Sequence, residues 1–135
     1  MQELLIALGL ILFLLGLLTG LAVPAMRNPR MALASHLQGM TNGPFLVVIG
    51  LLWPRLHLSH GWEIVTVVLV VYGAYANWLA TQLGAWWGAG HRYAPSASGN
   101  YRASPTKERA VDTLLLTLVP AMIAATVLLL IGILR

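Results

Sequence analysis

LLIALGLILFLLGLLTGLAVPAM, residues 4–26, carries no charged side chain between Glu3 and Arg27. A helix needs about 20 apolar residues to cross the roughly 30 Å hydrocarbon layer of a bilayer. This stretch meets that length and predicts a transmembrane helix. The residues before it, Met1-Gln2-Glu3, hold no basic cluster. The run is also too long for the apolar part of a secretion signal, so the expectation is a retained span.

Working outward, three further stretches have the same character. Residues 31–53 lie between Arg30 and Arg55 and are the least apolar, with His36, Gln38, Thr41 and Asn42 in their first half. Residues 62–88 contain Tyr72, Tyr75, Asn77 and Thr81 and end near the pair Trp86-Trp87. Aromatic residues at a span end read as interface anchors. Residues 110–134 begin with Asp112 and are interrupted by Pro120. The expectation is an all-α integral membrane protein, a four-helix transmembrane bundle forming one domain over 1–135. Gly16/Gly20, Gly39/Gly43 and Gly84/Gly88 are spaced as small-residue pairs that let helices approach closely, within one chain or in a homo-oligomer.

Composition agrees. Of the 135 residues, 59% are hydrophobic and 9% charged, against about 25% charged in soluble domains. There is no cysteine, which excludes disulfides, thiolate metal sites and covalent c-type haem attachment. The net charge of +4 does not point to nucleic acid, because no basic patch is interleaved with aromatics. Six of the eight basic residues fall in two connections: Arg27 and Arg30, then Arg92, Arg102, Lys107 and Arg109. By the positive-inside rule, loops 27–30 and 91–109 are cytoplasmic and both termini lie outside. The longer loop is rich in Ser, Pro, Gly and Asn and reads as mobile.

Polar groups inside lipid are costly and are functional candidates by default. No Glu, Lys or Arg falls mid-span, which argues against ion-coupled transport, and the first span lacks the carboxylate on which small multidrug exporters depend. His36 is the only histidine within a span; His57, His60 and His91 fall in loops or at interfaces. It reads either as a packing histidine bonded to a neighbouring carbonyl, or as an axial haem ligand or general base. A lone histidine leaves one haem coordination position open, which suits small-molecule activation better than electron transfer. Met40, one turn on, either flanks a cofactor or fills core space. Six residues at about 100° each place Asn42 about 120° around the helix from His36 and about 9 Å along it. If both touch one cofactor, they reach it from different subunits of a homo-oligomer. Asn77 reads as interhelical glue or as a site residue, Tyr72 and Tyr75 as core or site, and Asp112 as structural, at the start of its helix.

The stretch Ser35-His36-Leu37-Gln38-Gly39-Met40-Thr41-Asn42-Gly43 resembles a motif of styrene oxide isomerases, a helix-borne His followed six residues later by Asn-Gly. Tyr75-Ala76-Asn77 is similar to their aromatic-Ala-Asn in span three, and the proline in span four also matches. Length and overall pattern look closer to the hydroxylaminobenzene mutases of nitroarene-degrading bacteria, which isomerise hydroxylaminobenzene to 2-aminophenol. The resemblance implies a bacterial inner-membrane isomerase and a homotrimer with haem b between subunits. It also implies His36 as axial ligand to a ferric iron acting as Lewis acid, and Met40 joins it as a cofactor-binding candidate by its spacing alone. Asn42 would line the substrate side, and Tyr75, Asn77 and Thr81 complete the candidate catalytic set. One departure stands out: the epoxide enzymes have a tyrosine four residues after the span-three Asn, and here that position is Thr81. Epoxide opening is therefore the secondary expectation, and a non-enzymatic membrane subunit or transporter the third.

Overall fold

A computed structural model describes residues 1–135 and is entirely helical. Its helices are α1 (Gln2–Ala22), α2 (Pro29–Leu52), α3 (His60–Trp87), a short α4 (Pro95–Ser98) and α5 (Pro105–Leu134). Single 3₁₀ turns at Val23–Ala25 and Trp53–Arg55 end α1 and α2. Each contains a proline, Pro24 or Pro54, which has no N–H with which to continue the helical ladder.

Asn28 starts α2. Its side chain accepts from the Met31 N–H at 3.2 Å, and Pro29 occupies the first helical position, where a missing N–H costs nothing. α3 stops at Gly88, which takes a left-handed conformation (φ 72°) open to glycine without penalty. Pro44 lies inside α2 and Pro120 inside α5. They withhold the usual helical bond from the carbonyls of Met40 and Leu116.

Three helical segments are long and apolar enough to cross a membrane: Gln2–Ala25, α3 and α5. α2, at 24 residues, is long enough but falls short in apolarity. The cause is visible in its first half, where Ser35, His36, Gln38, Thr41 and Asn42 replace hydrocarbon. Four spans were expected, and the difference lies in this polar helix. On α1 and α5 large apolar side chains such as Leu10, Leu21, Ile123 and Leu130 point outward, as lipid-facing surfaces do.

The antiparallel helices α1 and α2 pack most intimately. A methyl group on Gly9 would lie 2.6 Å from the Gly43 carbonyl oxygen, and one on Gly16 2.9 Å from the Gly39 Cα. The two backbones therefore touch directly, as small residues permit between membrane helices. The pairing differs in part from the spacing-based expectation. Gly39 and Gly43 meet Gly16 and Gly9, whereas Gly20 faces the His36 ring. Gly84 packs on the Met31 side chain, and Gly88 serves as a helix stop. α3 lies against α2 on one side and α5 on the other, with Gly73 receiving the Met122 sulfur. The main core, including Leu5, Leu12, Leu46, Val70 and Ala74, sits where α1, α2 and α3 converge.

The 91–109 connection was expected to be mobile, but hydrogen bonds hold it. Glu108 accepts from the N–H groups of Gly90 (2.8 Å), His91 (3.2 Å) and Ala103 (3.1 Å). Arg27 donates to the carbonyls of Trp87 (2.7 Å) and Arg102 (3.3 Å), and the fully buried Asn28 donates to those of Ala97 and Ser98. α5 begins at Pro105, so Glu108 is its first-turn acid and Asp112 sits two turns in rather than at the helix start.

Gly39→Val should force the α1–α2 backbones apart and cost about 1–3 kcal/mol, as overpacking does. Gly61→Ala, at a position with nothing within 4 Å, should be neutral or slightly stabilising. Thermal unfolding of both variants in detergent checks the contrast.

Candidate functional site

His36 leaves α2 towards α1. Its Nδ1 lies 2.8 Å from the carbonyl oxygen of Gly16. A carbonyl only accepts, so Nδ1 carries a proton, and in the neutral ring the lone pair lies on Nε2. Two glycines create this geometry. Gly16 brings its carbonyl within reach through the close α1–α2 contact. Gly20 clears space for the ring, since a methyl there would stand 2.6 Å from Nδ1 and 2.9 Å from Cε1.

An imidazole whose Nδ1–H is held by a backbone carbonyl is the arrangement that orients a metal-ligating histidine. No three His, Asp or Glu side chains converge to hold a bare metal ion. His36 Nε2 is a single imidazole donor, the number that a haem with one axial histidine asks of the protein. Met40 is half-buried one turn beyond His36, and its backbone packs on Gly16.

The other side of α2 carries a cluster of amides. Gln38 Oε1 accepts from Asn42 Nδ2 at 3.2 Å and from Asn77 Nδ2, on α3, at 2.7 Å. Asn42 and Asn77, picked from separate motifs, are thus joined, and the joint is Gln38. Asn77 also lines a groove of about 520 Å³ between α3 and α5, with Tyr93, Leu115, Leu116, Leu118, Val119 and Pro120. The groove is apolar apart from this amide and Tyr93, the form small-molecule sites take. His36 and Asn42 point away from one another within the chain, as the helical angle predicts. His36, Gln38, Asn42 and Asn77 are all half-buried in the single chain.

The remaining candidates sit elsewhere. Thr81 is buried and turns its hydroxyl back on the carbonyls of Asn77 (3.0 Å) and Trp78 (2.9 Å). Tyr75 donates to the Leu8 carbonyl at 2.8 Å and ties α3 to α1. Tyr72 bonds Thr117 across the α3–α5 seam.

A second polar network escaped the sequence reading. Gln82, 2% exposed, accepts from Ser35 Oγ at 2.9 Å, and its Oε1 lies 3.2 Å from Thr19 Oγ1. Trp78 Nε1 donates to Thr19 at 3.3 Å. The network locks α1, α2 and α3 together directly behind His36, because Ser35 is its chain neighbour. The available signal was an amide five residues after Asn77 within an otherwise apolar span.

The whole chain has relatives. The styrene oxide isomerase family matches residues 1–134. The chain is 60% identical over 135 residues, all of both chains, to hydroxylaminobenzene mutase HabA of Ectopseudomonas oleovorans. It is 46% identical to hydroxylaminobenzene mutase HabB of the same organism over 128 residues, 95% of this chain and 78% of that one. No solved structure matches.

Gln82→Leu should remove the acceptor that Ser35 and Thr19 share, leaving their hydroxyls the Trp78 and Leu15 carbonyls, and cost about 1 kcal/mol. Denaturant titration of the detergent-solubilised variant measures it.

Proposed function

Because the chain belongs to the styrene oxide isomerase family, we propose that it is a membrane isomerase converting hydroxylaminobenzene to 2-aminophenol by intramolecular hydroxyl migration, in the metabolism of nitroarenes. The observation that carries this reading is 60% identity along the full length of a hydroxylaminobenzene mutase. The family's name favours one alternative, isomerisation of an aryl epoxide. Against it stands Thr81, whose hydroxyl is occupied by its own helix.

The reaction moves a hydroxyl from nitrogen to the ortho carbon with no net redox change. His36 Nε2, with Met40 one turn further along α2, would hold haem b, which would supply Lewis-acid chemistry to a departing oxygen. The residues of the chain do the rest. Gly16 holds the His36 proton on Nδ1, which keeps Nε2 free as a ligand. Asn42 and Asn77 orient the polar end of the substrate. The apolar α3–α5 groove seats the ring and excludes water, favouring return of oxygen to the ortho carbon over attack by bulk water.

The site belongs to a homotrimer in this reading, with His36 from one subunit and Asn42 from the next. Half-buried His36, Gln38, Asn42 and Asn77 support it, since polar side chains left facing lipid are costly. α2 is then the fourth span of a single-domain bundle, its polar face covered by a neighbouring copy. The two basic loops meet at one end of the molecule, where Arg27 bonds Arg102 and Asn28 bonds Ala97. By the positive-inside rule that end is cytoplasmic in a bacterial inner membrane, with both termini outside.

Purified protein given hydroxylaminobenzene should form 2-aminophenol, and given styrene oxide should form little or no phenylacetaldehyde; the reverse preference would replace this reading with the epoxide one. Asn42→Ala should retain haem and lose about 10²-fold in kcat, the order expected from lost substrate positioning. Co-expression of His36→Ala with Asn42→Ala chains should recover part of the activity that each lacks alone, because mixed trimers contain some intact interfaces. Absence of any recovery would contradict a shared site.

A further inference from the structure

We propose that Tyr93 is a specificity-determining residue: its ring is the wall that keeps the water of a charged mouth out of the apolar α3–α5 groove, and so decides which carbon of the substrate receives oxygen. This rests on the hydroxylaminobenzene reading above and deepens it by naming what keeps the site dry.

Two concavities share one wall. The apolar groove of about 520 Å³ reaches Asn77, and beside it lies a smaller concavity of about 260 Å³ with Arg92, Arg109, Asp112 and Thr113 in its lining. Tyr93 and Leu116 line both, and no other residue does. The smaller concavity is the wet side. Its charged groups hold hydration, and Asp112 Oδ1 is buried without a hydrogen-bond partner in the chain, a position that draws water. Elsewhere the groove is bounded by apolar side chains of α5, with Val119 turned outward to hydrocarbon or a neighbouring copy. Those sides bring no water. The short route for water runs past Tyr93 and Leu116.

Tyr93 is well anchored there. Glu108, in the first turn of α5, accepts from the N–H groups of Gly90 (2.8 Å) and His91 (3.2 Å). The Ala94 N–H donates to the Gly90 carbonyl at 2.9 Å and closes the turn that carries the ring. Gly90 has φ 99°, a conformation that glycine takes without strain. The Arg92 guanidinium lies 5.2 Å from the ring centroid, within cation–π range. The helix that forms one side of the groove thus also fixes the residue that ends it. A tyrosine suits such a boundary, since it joins an apolar body to a polar tip.

The chemistry makes a leak visible. When the N–O bond breaks with its electron pair leaving on oxygen, positive charge spreads to the ortho and para carbons of the ring. Return of that oxygen to the ortho carbon, with the ring proton passing to nitrogen, gives 2-aminophenol. Attack of a water molecule on the para carbon gives 4-aminophenol instead. There the para proton passes to nitrogen, and the departed hydroxide leaves as water with a proton from the attacking one. The two products have the same formula, but the second carries solvent oxygen. Exclusion of water is what separates them.

The test gives full-length holoenzyme in detergent hydroxylaminobenzene in water labelled with heavy oxygen, at neutral pH, beside a protein-free blank. Wild type should form 2-aminophenol with unlabelled oxygen. Tyr93→Ala should raise labelled 4-aminophenol about tenfold or more over wild type, as a wetted site does. Leu116→Ala opens the same wall from α5 and should leak in the same sense. Tyr93→Phe keeps the ring, and Val119→Ala widens the groove away from the mouth; both should keep the wild-type product whatever their rates. A purely structural role for Tyr93 would lower the rate and leave the labelled share unmoved. A second readout needs no turnover. The chain has no cysteine, so Leu118→Cys places a single thiol on the groove. A water-soluble cationic methanethiosulfonate should modify it about tenfold faster once Tyr93→Ala is added, because access limits a shielded thiol.

Tyr93→Ala protein that forms only unlabelled 2-aminophenol and leaves the thiol as shielded as before overturns the proposal. So does Tyr93→Phe or Val119→Ala that leaks as fully as Tyr93→Ala. Failure of wild type to convert hydroxylaminobenzene would sink the functional reading instead, and the thiol labelling would still decide the role of Tyr93.

Discussion

Everything at the site depends on how closely α1 approaches α2. With no side chain on Gly9, Gly16, Gly39 or Gly43, the two backbones meet directly. That approach delivers the Gly16 carbonyl to His36 Nδ1 at 2.8 Å. A single added methyl at Gly16 or Gly39 would separate the helices and take the carbonyl away from the ring. In lipid there is little hydrophobic drive between helices, so close packing and interhelical hydrogen bonds must supply the association. The same glycines thus serve the fold and set the tautomer of the histidine.

The polar residues of α2 divide by direction. His36 faces α1; Ser35 faces Gln82 behind it; Gln38 and Asn42 face the amide of Asn77. A helix too polar to qualify as a span by composition is therefore polar for three different partners. The network around Gln82, buried at Gln82, Ser35 and Thr19, ties three helices together, whereas the amides around Gln38 and the His36 imidazole are half-buried.

Much of this was legible in the sequence. The uncharged runs, the lone intramembrane histidine and the divergence of His36 from Asn42 follow from helix geometry and the cost of charge in lipid. Asn42 and Asn77 were identified through their motifs, and Gln38 as a polar residue of the same span, but that Gln38 joins them emerges only once α2 and α3 are packed. Gly20 read as half of a helix-packing pair because spacing cannot distinguish a backbone neighbour from a side-chain one. The extra turns at the start of α5 were hidden by Lys107, Glu108 and Arg109, charges that resemble loop sequence but extend the helix beyond the apolar stretch. The order of the 91–109 connection was hidden for a related reason. Its composition is that of a flexible loop, and what fixes it is Glu108, Arg27 and Asn28, residues that lie far apart in sequence or that bond only to backbone.

The central claim is that His36, its proton held on Nδ1 by Gly16, presents Nε2 to haem iron. The measurement that tests it most directly is the absorption spectrum of detergent-purified protein, wild type beside His36→Ala. A Soret band in the wild type that disappears in the variant is the predicted result. A Soret band left unchanged by His36→Ala, or no Soret band in a wild-type preparation that still converts hydroxylaminobenzene, would contradict it and return His36 to the role of an acid, a base or a packing residue.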